Sequence, residues 1–236
     1  MIAQRWNQKG SVIIHSQTTD EPISLIGEMA GICYGANTSD PEKNYKRGLD
    51  CIKSNHGRTL EFPKVYMILD GWSAKVLREF YTHIIDTTRL QASTRYIEYG
   101  DFNYVVPPRI ESSLEAKEIF ETTINTIKSS IKKLEELGIP KEDSSNLLPL
   151  CYESKVVCVI GLRELIAMSR VRECNRAYWE FRKLFKKITE SLAIYGDEWN
   201  ILVNELKVFH PKCEDTGFCD EKFSCGKMPK RSDKNV

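Results

Sequence analysis

Thr87-Thr88-Arg89-Leu90-Gln91-Ala92-Ser93-Thr94-Arg95-Tyr96 puts two guanidiniums, four Ser/Thr hydroxyls and one amide into a single run without a carboxylate. Such a run suits an anion: an arginine fork matches phosphate oxygens two at a time, and hydroxyls supply further donors. The same composition also describes a polar surface loop whose arginines pair with acids elsewhere in the fold. Both readings stand on these residues alone.

The flanking pattern gives the run a setting. Upstream, Ser73 is placed to cap a helix with the apolar stripe Val76, Leu77, Phe80, Tyr81 and Ile84, which turns Arg78 away from the core. Before it, Val65, Met67 and Ile68 follow Pro63 as a short buried strand that Asp70-Gly71 is expected to break. An earlier strand is predicted around Ser11-Val12-Ile13-Ile14-His15, and helices over residues 21–34, with a small-residue surface at Gly27, Ala30 and Gly31, and from Asp40-Pro41 onward. Downstream, residues 99–106 read as extended until Pro107-Pro108. The longest helix is predicted over 113–137, with a capping box of Ser112 and Glu115 and the stripe Leu114, Ile119, Phe120, Ile124, Ile127, Ile131 and Leu134. The remainder reads as helical, in segments near 141–148, 163–170 and 175–195.

At 236 residues the chain is long enough for one sizeable core, and we read residues 1–208 as one catalytic domain and 209–236 as an appended tail. The expected class is α/β, a central mixed sheet flanked by long helices. Lys+Arg of 34 against Asp+Glu of 33 argues against a broad basic surface for nucleic acid, so partners are expected to be small molecules. No apolar run reaches the roughly 18 residues of a membrane span, and Met1-Ile2-Ala3-Gln4-Arg5-Trp6 lacks a signal-peptide core, so a cytoplasmic location with reduced thiols is expected. Cys33, Cys51, Cys151, Cys158 and Cys174 then read as buried small hydrophobes. In the tail, His210, Cys213, Cys219 and Cys225 form the ligand set of a structural zinc knuckle, or else an unstructured reduced tail. There is no Gly-x-Gly-x-x-Gly and no Walker loop.

The spacing Arg89-x3-Ser93-x-Arg95-Tyr96 resembles the signature region of flavin-dependent thymidylate synthases. Three more stretches resemble that family in order: His56-Gly57-Arg58-Thr59-Leu60-Glu61-Phe62, its His- and Glu-containing turn beside flavin; Leu147-Leu148-Pro149-Leu150; and Arg172-x4-Ala177-Tyr178-Trp179-Glu180-Phe181. The resemblance implies FAD as cofactor, with reduction by a nicotinamide (NADPH), methylenetetrahydrofolate as carbon donor, a homotetramer, and methylation of dUMP to dTMP without a cysteine nucleophile. It implies substrate contacts from Arg78, Arg89, Gln91, Ser93, Arg95 and Arg172, and cofactor contacts from His56, Arg58, Glu61 and His83. The departures are His83-Ile84-Ile85 in place of Arg-His-Arg, Leu90-Gln91 in place of Asn-Glu, Tyr178 in place of Gln, Gly161 in place of an Asn, and Ser145 in place of an Arg. They keep two alternatives open: modification of another pyrimidine nucleotide, such as UMP or a hydroxymethylated product, and a non-catalytic flavin- or nucleotide-binding protein.

Overall fold

The computed structural model describes residues 10–233. Strand β1 (Ser11–Ile14) leads to α1 (Pro22–Cys33) and α2 (Pro41–Lys53), then β2 (Lys64–Ser73) and α3 (Ala74–Phe80). Strand β3 (Thr87–Gln91) is followed by α4 (Pro108–Glu111), α5 (Leu114–Glu136) and α6 (Lys141–Ser144). Strand β4 (Glu153–Gly161) precedes α7 (Leu162–Arg172), α8 (Trp179–Tyr195), α9 (Asp197–Asn200) and α10 (Lys212–Thr216). No helix among the described residues is long and apolar enough to cross a membrane.

The sheet order is β1-β2-β4-β3. The expected α/β class holds, but the sheet is antiparallel rather than mixed. His15 N donates to Tyr66 O while Ser11 Oγ reaches Asp70 O; Ala74 N donates to Tyr152 O and Leu162 N to Pro63 O; Ala92 N donates to Lys155 O and Gly161 N to Asp86 O. In each pair one partner's number rises as the other's falls. Strands β2 and β3 therefore point the same way, and β4, entering later in the sequence, separates them and runs against both.

Two expectations about the sheet change. Asp70-Gly71 does not end β2. From 63 to 74 the strand takes eleven steps against the ten from 152 to 162 opposite, so it carries one extra residue, and Gly71 at φ 73 has the left-handed backbone of an inserted residue. Strand β4 falls between two of the expected helical segments, where no strand was expected. Ser154, Val156, Cys158 and Ile160 are buried on alternate positions, the period of two that defines a half-buried strand. Residues 99–106, read as extended, make only one bridge, Tyr104 to Tyr152.

Two compact units are interleaved in sequence. One holds residues 10–11, Leu69–Glu79 and Leu90–Val157; the other holds Val12–Ile68, Phe80–Arg89 and residues 158–233. The first has its core where α5 lays Ile124 and Ile131 on Tyr99, Phe102 and Tyr152, with the Tyr99 and Tyr152 rings edge to face at 5.5 Å. Its helix is capped by Ser113, which accepts from Ala116 N at 3.3 Å, one residue later than the expected box at Ser112. Leu114 and Ile119 are exposed, so the buried stripe is narrower than predicted.

In the second unit, α1 and α2 pack through glycines. A Cβ on Gly27 would fall on Asn44 O, and one on Gly48 on Ile23 O, far inside contact distance. The small-residue surface expected on α1 is therefore the seam of a close helix pair. Glu198 of α9 caps α1 from outside, its carboxylate accepting from Ile23 N at 2.6 Å, from Ser24 N at 3.0 Å and from Ser24 Oγ. Phe181, Leu184, Phe185, Ile188 and Leu192 place α8's buried face at helical spacing. Helix α3 stops at Phe80, which leaves Ile84, expected in the stripe, 71% exposed. All eight cysteines are free thiols. Of the five read as buried, only Cys158 is; desolvation pushes its thiol up to about 12, which keeps it protonated and inert.

Candidate functional site

In the second unit, the turn after α3 and the two ends of α7 bring together His83, Glu164 and Arg172. Arg172 Nε donates to His83 Nε2 at 3.0 Å, and Arg172 Nη2 donates to Thr82 Oγ1 at 3.1 Å. Its guanidinium lies 4.5 Å from the centroid of the buried Phe181 ring, and the His83 ring meets Phe181 edge-on at 5.8 Å. Because Nε2 accepts a hydrogen bond from Arg172, the neutral imidazole carries its own proton on Nδ1, which faces Glu164 Oε1 at 3.3 Å. Burial and the guanidiniums of Arg172 and Arg89 lower the His83 pKa to about 4, so the ring is neutral at physiological pH. Burial, with Asp86 adding to it and Arg89 opposing, raises that of Glu164.

Arg89 is committed locally. It donates to Phe80 O at 3.0 Å, a last-turn carbonyl of α3, and its guanidinium lies 4.5 Å over the Tyr81 ring. At the turn before β2, His56 and Arg58 are exposed, and Glu61 forms an ion pair with Arg163. Sequence reasoning passed over Glu164 and Arg163. The available signal was an acid eight residues before Arg172, a spacing that returns to a similar face of one helix.

Gly161 explains one departure. A side chain there would overlap the Asp86 carboxylate, which itself holds Lys64 Nζ at 2.5 Å. The space that an Asn would need is filled by Asp86. Gly161→Asn is therefore expected to cost about 1–3 kcal/mol through overpacking, and adding Asp86→Gly should return most of it. Asp86 sits at φ 50, so a glycine there is unstrained. Urea denaturation of the two single variants and the double variant checks this, and strictly additive costs would refute the overlap.

The run Thr87–Tyr96 is half edge strand, half turn. Gln91 Nε2 donates to Ser154 Oγ at 3.4 Å, and Ser93 Oγ accepts from Arg95 N at 3.1 Å, a local turn. Arg95 Nε donates to Glu142 at 2.8 Å in an exposed ion pair, so the surface-loop reading describes Arg95 as this structure has it. Arg78 is exposed and has no hydrogen bond or ion pair among the described residues.

The tail carries all four of the expected zinc ligands. Among the described residues no three His, Cys, Asp or Glu side chains stand where they would hold a metal ion. His210 is drawn elsewhere: Nε2 faces Asp215 at 3.4 Å, and its backbone carbonyl accepts from Arg170 at 3.1 Å. Cys219 is buried, with its N–H on Pro229 O at 2.7 Å, while the exposed Cys225 accepts from Asn175 Nδ2 at 3.8 Å.

Comparison with known proteins adds an independent line. The family model described as thymidylate synthase complementing protein matches residues 15–194. The flavin-dependent thymidylate synthase of Nitratidesulfovibrio vulgaris is 27% identical over 235 residues, which cover 90% of this chain and 93% of that one. That of Pyrococcus abyssi is 30% identical over 175 residues, 71% of this chain and 69% of that one. Among solved structures, the flavin-dependent thymidylate synthase ThyX from Helicobacter pylori, complexed with FAD and dUMP, superposes with a TM-score of 0.62 at 18% identity. The match covers 77% of this chain and 93% of that one, and at this identity it speaks to the fold alone.

Proposed function

The chain belongs to the thymidylate synthase complementing protein family, and on that premise we propose that it methylates dUMP to dTMP with FAD, using methylenetetrahydrofolate as carbon donor and NADPH as reductant. The observation that carries the reading is the family match over residues 15–194, which spans all the signature stretches. We take residues 1–208 as the catalytic part and 209–236 as a tail, in a cytoplasmic homotetramer.

Bound FAD would supply the reducing equivalents. The chain's own task is binding, orientation and electrostatics. The residues present suit an anionic dinucleotide: His56 and Arg58 are exposed donors on one turn, and Glu61 with Arg163 adds a paired acid and base beside it. Their role is to hold the cofactor's polar groups; His83 is engaged with Arg172.

For the nucleotide, the resemblance assigns Ser93 and Arg95 to the phosphate, Gln91 to ribose or base by hydrogen bonds, Arg172 to the pyrimidine, and Arg78 and Arg89 as further basic contacts. The Arg95–Glu142 pair is solvent-exposed and worth little by itself, so exchange for a phosphate dianion is inexpensive. An arginine with two terminal nitrogens suits a pyrimidine carbonyl or a phosphate equally by donor chemistry.

The test is direct. Purified protein is expected to be yellow or to take up FAD in an absorbance titration, and the loaded protein to form dTMP from dUMP, methylenetetrahydrofolate and NADPH. Protein that ignores added FAD sinks the proposal, and faster turnover of uridylate in a parallel reaction moves it to a different pyrimidine nucleotide.

A further inference from the structure

Arg172 ends α7 and Glu164 begins it, so both stand on one rigid helix, while Thr82 and His83 belong to the turn that follows α3. A long arginine side chain on a helix end has many rotamers, and fixing one of them is entropically costly unless partners define it. Here the partners meet it along one edge and on one face. His83 Nε2 and Thr82 Oγ1 accept from Nε and Nη2, which share one edge of the guanidinium, at 3.0 and 3.1 Å. Phe181 lies under its face at 4.5 Å and is fully buried.

The weak link is the imidazole. A neutral histidine accepts at Nε2 only when its proton is on Nδ1, which is the less common tautomer in water. In this cluster the group facing Nδ1 is the carboxylate of Glu164, at 3.3 Å, with side-chain exposures of 13% for His83 and 9% for Glu164. The carboxylate accepts from Nδ1–H and not from a second lone pair, so its presence selects the tautomer that leaves Nε2 as an acceptor.

We propose that Glu164 and His83 are positioning residues: Glu164 fixes the His83 tautomer, and His83 in turn fixes the plane of the Arg172 guanidinium for recognition of a pyrimidine nucleotide. The inference rests on the reading of Arg172 as a nucleotide ligand, and it assigns Glu164 a role no signature stretch indicates. Neither residue touches the substrate. Their effect is on affinity and on KM, and only weakly on kcat.

The experiment uses full-length, FAD-loaded protein and dUMP as the probe, with calorimetric Kd, KM and kcat, and the melting temperature measured in parallel. Glu164→Ala and His83→Leu are each expected to raise the dUMP Kd and KM about tenfold while FAD affinity stays within about twofold. Glu164→Gln, whose amide oxygen still accepts from Nδ1–H, should remain within about threefold of wild type. Histidine side-chain nitrogen NMR should find His83 protonated on Nδ1 in wild type and in Glu164→Gln, a signature that a merely structural contact does not require. A His83 protonated on Nε2 in wild type overturns the proposal, whichever variants fold. So does a Glu164→Ala protein with wild-type dUMP affinity beside an Arg172→Ala protein that has lost it, and in that case the assignment of Arg172 survives. If Arg172→Ala itself binds dUMP as wild type does, that assignment falls and the positioning role falls with it.

Discussion

Gly27→Ala is expected to destabilise the protein by about 3 kcal/mol, which for a chain of this size lowers the melting temperature by roughly 6–12 °C. In an ordinary helix the change is favourable by about 1 kcal/mol, because alanine has the higher helix propensity. Here the added Cβ meets Asn44 O, a backbone atom of α2 that cannot rotate aside, and the next nearest atom is Gly48 N of the same helix. The pair has to separate, and the contacts of Ile23 and Ile26, both 0% exposed, are loosened with it. Gly196→Ala is the control: its backbone is extended at φ −165, and the nearest atom to a new Cβ is Asp20 O at an ordinary 3.5 Å. Thermal melts of both variants decide the matter, and a Gly27→Ala protein that melts like wild type would mean that α1 and α2 are not so closely packed.

Acidification is expected to destabilise the fold through His83 in the window from pH 6.5 down to about 4. The native ring is held neutral with its pKa lowered from 6.5 to about 4, while the unfolded chain's histidine protonates near 6.5. Between these values the unfolded state binds the extra proton, so stability rises with pH and is lost as pH falls. The full shift corresponds to about 3 kcal/mol, and solvent screening reduces it to about 1–2 kcal/mol. Glu164 works the other way. Its raised pKa makes the native state the better proton acceptor, which favours the fold at low pH and offsets part of the loss. Other carboxylates of the fold also titrate on acidification, so a His83 variant is what separates the imidazole's part of the slope. Urea denaturation at pH 7 and pH 5, for wild type and His83→Gln, measures it. Since pH 5 reaches only about half of the window, the variant should lose about 0.5–1 kcal/mol less between the two pH values, and equal losses in both proteins would contradict the neutral assignment.

What the sequence determined by itself was local and compositional. The cap at Asp40, the proline start of α2, and the stripes of α5 and α8 depend on residues within a few positions of one another, so their spacing is legible without the fold. The ordered signature stretches pointed to the family because each is a short run of particular residue types, and the match over residues 15–194 agrees. What the tertiary structure decided was everything that depends on a partner distant in the chain. Strand β4 was missed because a short apolar run has no period that separates strand from helix until Lys64–Ser73 is beside it. Arg89, Arg95 and Arg172 are the same residue type in sequence, yet one reaches the Phe80 carbonyl, one pairs with Glu142 and one rests on His83, 89 residues away. A guanidinium binds whichever acceptor the fold brings within 3 Å, and only the folded chain fixes which one that is.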